Sequence, residues 1–188
     1  MKYKDVFPIE FIELLNEKVA VSADNKIDPD SELSDKYIDV ESMLNMLGLT
    51  VERSDELGAS GRLIGSKVVI NSQDVAERQR FTMAHELGHA VQGRDSAFRK
   101  TGTTDSYTVE QKRDEVFANK FAAQLLMPKK LVVQYITNFI SENNLDQNKL
   151  NQNSIDDIKK FLANNLHVSL KSMGYRIENL NLFVRTAD

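Results

Sequence analysis

Two of the chain's three histidines, His85 and His89, stand four residues apart, and Glu86 directly follows the first. On a helix, residues i and i+4 project from one face, so both imidazoles can reach a single cation. Zinc accepts imidazole nitrogen at roughly 2.0–2.1 Å, and its catalytic sites take three protein ligands and keep a position for water. Glu86 falls at the edge of the same face, where a general base for that water belongs. The competing interpretation is a surface helix with two unengaged histidines. The neighbouring residues speak against it. Met83, Leu87, Ala90 and Val91 form an apolar stripe offset from the histidines, so one side can be buried while the other offers ligands. Gly88, mid-helix, costs roughly 0.5–1 kcal/mol relative to alanine, which a closely approaching backbone or metal shell would explain.

Two histidines leave a zinc site one ligand short, and a helical carboxylate suits the vacancy. The next long helical pattern runs from Glu110 to Leu126. Phe117, Phe121 and Leu125 supply its apolar stripe, while Glu115, Asn119 and Ala122 follow a different line. Glu115 is the candidate third ligand, and Asn119, one turn on, could hydrogen-bond a ligand imidazole. Asp114 and Glu110 are rivals. Asp114 is shorter and points elsewhere, and Glu110 sits at the helix start, where acids are favoured by the dipole alone. A donor for a developing oxyanion is not identified by spacing. Tyr107, Arg113 and His167 are the candidates, and His167 reads better as a turn residue ahead of a helix cap at Ser169.

The elements that must position these side chains are mixed. Ile9, Ile12, Leu15 and Val19 make a first helix stripe after Pro8, and Val40, Met43, Leu44 and Leu47 a second, closed by Gly48 as a left-handed cap. Residues 22–35 are polar and acidic and read as a solvated loop. Short strands are expected at Leu49–Arg53, Gly61–Gly65 and Lys67–Asn71. The β-branched run Val68-Val69-Ile70 suits either an edge strand that pairs with an extended substrate or one that only packs. Asp74 and Glu77 have capping-box spacing ahead of the histidine helix. Arg78 reads as solvated. Gly93 to Val109 is a polar loop that could border a cleft. After Pro128 come a helix to about Ile140, an Asn- and Gln-rich linker from Ser141 to Ser154, and two further helices around a turn at Leu166–Ser169. The division expected is a core over residues 1–140 and a C-terminal linker and helical pair over 141–188, packed on it.

Composition narrows the class. A chain of 188 residues with net charge −4 suits one mildly acidic domain and not a protein that grips nucleic acid with its whole surface. Without cysteine it can hold neither disulfides nor a cysteine zinc site. No apolar signal core opens the chain and no stretch approaches the ~20 apolar residues that span a bilayer, so a cytoplasmic protein is the expectation.

The block Arg80-Phe81-Thr82-Met83-Ala84-His85-Glu86-Leu87-Gly88-His89, followed by Glu115, Ala118-Asn119, Phe121-Ala122-Ala123 and Leu125-Leu126-Met127-Pro128, resembles the ImmA/IrrE family of zinc metallopeptidases. The resemblance implies a zincin-like α+β core, His85, His89 and Glu115 as zinc ligands, and Glu86 as catalytic base. It also implies an intracellular regulatory protease, often of a mobile element or prophage, whose substrate is a helix-turn-helix repressor. Phe117 and the long polar linker depart from the family pattern. Two other functions compete. A non-proteolytic anti-repressor would use its metal only for structure, which gives Glu86 no purpose. A DNA-binding regulator would use the helix-turn-helix-like run Phe161 to Leu180, but charges over residues 155–188 are nearly balanced, and a DNA reader needs a basic footprint. Manganese or iron could replace zinc in such a donor set.

Overall fold

The computed structural model describes residues 1–33, 36–55, 58–93 and 108–183. It is α+β, mostly helical, with a small sheet immediately before the histidine helix, as the pattern of the sequence predicts. The order is α1 (Tyr3–Val6), α2 (Ile9–Lys18), α3 (Val40–Met46), β1 (Thr50–Ser54), β2 (Gly61–Ile64), β3 (Lys67–Asn71), α4 (Ala76–Val91), α5 (Val109–Leu126), α6 (Lys129–Glu142), α7 (Gln152–Asn165) and α8 (Leu170–Leu180).

Local chemistry explains most of the boundaries. Asp39 caps α3 by accepting from the Ser42 amide, and Gly48 ends it at φ +81°, a conformation an L side chain adopts only with strain. Thr108 and Gln111 form a reciprocal capping box at the start of α5, and Pro128 separates α5 from α6. The expected box at Asp74 and Glu77 is absent. Val75 is the residue before α4 and caps nothing, while Asp74 lies 3.7 Å from the Arg78 guanidinium. Asp74 sits one residue too early for its oxygen to meet the amides of the first turn.

The sheet has the order β1-β3-β2, with β1 parallel and β2 antiparallel to β3. Val68 faces Val51 on one side and Leu63 on the other. The run 68–70 is therefore a central strand, buried at all three positions, and its backbone is not open to a substrate. The edge beside α4 belongs to β2. A Cβ on Gly61 would stand 2.3 Å from the Thr82 methyl, so the glycine lets β2 lie directly on α4.

The acidic stretch after α2 is held more firmly than a solvated loop would be. Ile27 is buried, and the Asn16 carboxamide both accepts from its amide (2.8 Å) and donates to its carbonyl (3.0 Å). Asp30, flanked by Lys2 and Lys4, has its carboxyl drawn down to about 2, chiefly by their hydrogen bonds.

Buried side chains from α1 through α8 join one apolar cluster that includes Leu87, Leu125, Leu162 and Met173. Two arginines tie the C-terminal helices to the rest. Arg176 donates to the Met127 carbonyl at the end of α5 (2.9 Å). Arg80 on α4 donates to the carbonyls of His167 (3.2 Å) and Ile38 (2.9 Å) and lies over the Tyr37 ring. Burial lowers the pKa of both guanidinium groups. Among the described residues, no helix is long and apolar enough to cross a membrane.

Candidate metal centre

α4 is enclosed on every side along its middle. All eight residues from Thr82 to His89 are buried, four of them polar. The sheet covers one flank and α5 covers another. The approach to α5 is set by Gly88, where an added Cβ would lie 3.0 Å from the Ala118 Cα and 3.3 Å from Phe121. Ala118 and Ala122, both fully buried, give α5 a low surface at the crossing. Behind it, Phe7, Phe11 and Phe121 stack in a row at 5.1 and 5.4 Å. This close crossing turns the line Glu115–Asn119–Ala122 towards the histidines.

The resulting constellation is compact. The Nε2 atoms of His85 and His89 lie 2.9 Å apart, and the two Glu115 oxygens stand 3.5 Å from the first and 3.3 Å from the second. One donor atom from each of the three residues falls within 4.8 Å of the others, the group of metal-binding character found among the described residues. His85 Nδ1 lies 3.1 Å from Asn119 Oδ1. An amide oxygen can only accept, so Nδ1 carries the proton and the Nε2 lone pair faces the cluster. Two imidazole nitrogens and a carboxylate converging on one point form a set of Lewis bases that a divalent cation satisfies, and the donor types suit zinc. His85 has no exposed surface, whereas the Glu115 side chain keeps 22% of its own, so the centre opens to solvent along the α5 side.

The other candidates fall at varied distances from this point. Glu86, 1% exposed, follows His85 on the same enclosed stretch of α4. Asp114 accepts from the Gln92 side chain (3.2 Å) just beyond the end of α4, one residue away from the cluster line. Glu110 and Arg113 lie on the exposed first turns of α5. His167 packs on Tyr37 at 4.4 Å in the turn before α8, with φ +50°, which agrees with a turn role. Tyr107 lies outside the described residues. The contacts missed by sequence reasoning are those of Thr82 and Gly61. Gly61 reads along the chain as a strand boundary, and nothing in its spacing reveals that a helix methyl fills the place of its side chain.

The sequence profile of a peptidase family described as the IrrE N-terminal-like domain matches residues 46–178, more than half of the chain. The matched span runs from α3 to α8 and holds every candidate ligand. The radiation response metalloprotease IrrE of Deinococcus radiodurans is 36% identical over 74 residues, which is 38% of this chain and 22% of that protein. Its namesake from Deinococcus deserti is 39% identical over 74 residues, covering 38% and 26%. The similar segment thus spans about a quarter or less of those relatives' lengths.

Proposed function

The chain belongs to the IrrE N-terminal-like domain family, and from that membership we propose a zinc-dependent endopeptidase that works in the cytoplasm on a protein regulator. The observation that carries the reading is the convergence of His85, His89 and Glu115 donors beside a buried Glu86. A purely structural zinc is closed by four protein ligands and has no use for an enclosed carboxylate beside a three-residue donor set.

The reaction is hydrolysis of a peptide bond. A zinc ion held by His85, His89 and Glu115 would polarise the scissile carbonyl and bring the pKa of a water towards ~7. Glu86 accepts a proton as the water oxygen bonds to the carbonyl carbon, and passes it to the amine as the C–N bond breaks. Asn119 keeps the His85 ring in the tautomer that points its Nε2 inward. Among the described residues β2 is the sheet's outer strand beside α4, pressed onto it through Gly61, and it takes the place by the centre that the 68–70 run was expected to hold. We assign residues 1–140 to the core and 141–188 to a helical closure packed on it.

The relatives named above are radiation response metalloproteases. The substrate we favour for this chain is a helix-turn-helix repressor, of the kind a mobile element or prophage encodes. The test is incubation of the purified, zinc-loaded protein with such a repressor. Discrete fragments that vanish with a chelator and return with zinc are the expected result. An intact repressor that is nonetheless released from its operator would replace the peptidase by a binding anti-repressor.

A further inference from the structure

Next to the proposed centre, on the same face of α4, lies a groove of about 710 Å³ between the start of α4 and the α7–α8 turn. Its apolar wall is made by Val75, Phe81, Ala163, Val168 and Leu170. Val75 and Leu170 are large apolar residues left 70% and 46% exposed. Phe81 is the link to the centre. It precedes His85 by one helical step of four residues, and the two rings are 6.4 Å apart. The groove therefore continues the line of the histidines towards the beginning of the helix.

Its rim has a charge opposite to that of the chain. Arg78, Lys160 and Lys171 border it against Glu77 alone, in a protein of net charge −4. Arg78 is engaged with Ser60 and Asp74, and Lys160 with Asp157 at 3.3 Å. Both ion pairs are solvated at the arginine or lysine end, where such pairs contribute little and yield readily to a competing carboxylate. Lys171 reaches over its own helix towards the Tyr175 ring at 5.9 Å.

We infer that this groove is a substrate subsite that selects an apolar side chain flanked by acidic residues. The inference rests on the peptidase reading and adds to it a place and a chemistry of recognition. The distance from the cleaved bond follows from geometry. Phe81 is one helical step from His85 and Val75 ten residues before it, about 15 Å at 1.5 Å per residue. An extended peptide advances about 3.3–3.4 Å per residue, so the selected segment lies about two to five residues from the scissile bond. The apolar anchor displaces water from Phe81, Val168 and Leu170, and the acids meet the lysine rim.

Two measurements on the full-length protein test this. The first is fluorescence anisotropy with a labelled peptide Glu-Glu-Leu-Glu-Leu-Glu and its counterpart with lysine in place of each glutamate. The acidic peptide binds, the basic one does not, and K160E/K171E weakens the acidic peptide about tenfold, as reversal of a recognition charge does. Equal binding of the two peptides, binding of neither, or indifference to the double reversal overturns the inference. So does binding of a DNA duplex that the same reversal abolishes, because the rim would then serve nucleic acid. The second measurement is the cleavage profile of a mixed peptide library with the zinc-loaded protein. Enrichment of acid-flanked apolar residues two to five positions to one side of the cut is expected, and it disappears in K160E/K171E. Cleavage without that enrichment sinks the subsite and spares the peptidase. Selective binding of the acidic peptide without any cleavage sinks the peptidase and leaves the groove a recognition site for the same chemistry.

Discussion

Helices α4 and α8 both carry polar residues, and they treat them in opposite ways. In α8 only Met173 and Ile177 are buried, and the charged and polar positions between them face outward or sit half-covered. Sequence and burial agree there, residue by residue. In α4 they disagree. Thr82, His85, Glu86 and His89 lie within a stretch as enclosed as any in the apolar core. Enclosing a polar group without full compensation costs about 1–3 kcal/mol, and more for a charged one. Four polar groups gathered at the centre of the fold depart from ordinary burial in the way a candidate functional site does.

The contrast is tested most severely at Glu86. Glu86→Gln keeps the shape and removes the charge. Peptide hydrolysis should fall by about 10²–10⁴-fold, the range for loss of a positioned general base. Metal content by elemental analysis should be unchanged. Hydrolysis at the original rate would reduce Glu86 to an ordinary buried residue. The second test concerns the support of the ligands. Asn119→Ala removes the acceptor that orients His85, and metal affinity should weaken about 10–100-fold, as loss of such partners does elsewhere. Glu115→Ala should weaken it further, read by competition with a chromogenic chelator. Full metal content in the Glu115 variant would move the third ligand to another residue.

The two helices also differ in how much of them can be read along the chain. The histidine pair is legible because helical spacing alone puts both rings on one face. Gly88 is legible as an anomaly, and the structure supplies its reason in the Ala118 backbone. Glu115 is half legible. Its line on α5 can be drawn, but only the closeness of the crossing decides whether that line meets the histidines or passes beside them. The central position of β3 cannot be read, because Val68-Val69-Ile70 suits any strand that packs on at least one side. The start of α4 misleads, since Asp74 and Glu77 have the spacing of a cap while the chain enters the helix one residue later. Turn and cap residues near α8 read well because their chemistry is local, and Ser169 accepts from the Ser172 amide as a cap should.

The crossing itself is the next point of leverage. Gly88→Ala gains about 0.5–1 kcal/mol in helix propensity but sets a methyl against backbone, where overpacking costs about 1–3 kcal/mol. The Ala118 Cα cannot turn aside as a flexible side chain would. A net loss on the order of 1 kcal/mol is expected by urea unfolding, together with weaker metal binding as α5 is pushed away. A more stable variant with unaltered metal affinity would mean that the two helices are not held at their closest approach.

The smallest effect is expected at α8. Ser169→Ala removes one cap and should cost about 1 kcal/mol, within the 0.5–2 kcal/mol range for such caps. Tyr175→Ala, at a position 57% exposed, should fall within about ±0.5 kcal/mol. Neither should alter metal content, because none of the three candidate ligands His85, His89 and Glu115 lies on α8. If Ser169→Ala emptied the metal site, α8 would be part of the scaffold that sets the ligands, and its orderly surface would conceal a dependence like that of α4. Metal content unchanged at full saturation, alongside a measurable loss of stability, would confine the conflict between polarity and burial to the helix that carries the histidines.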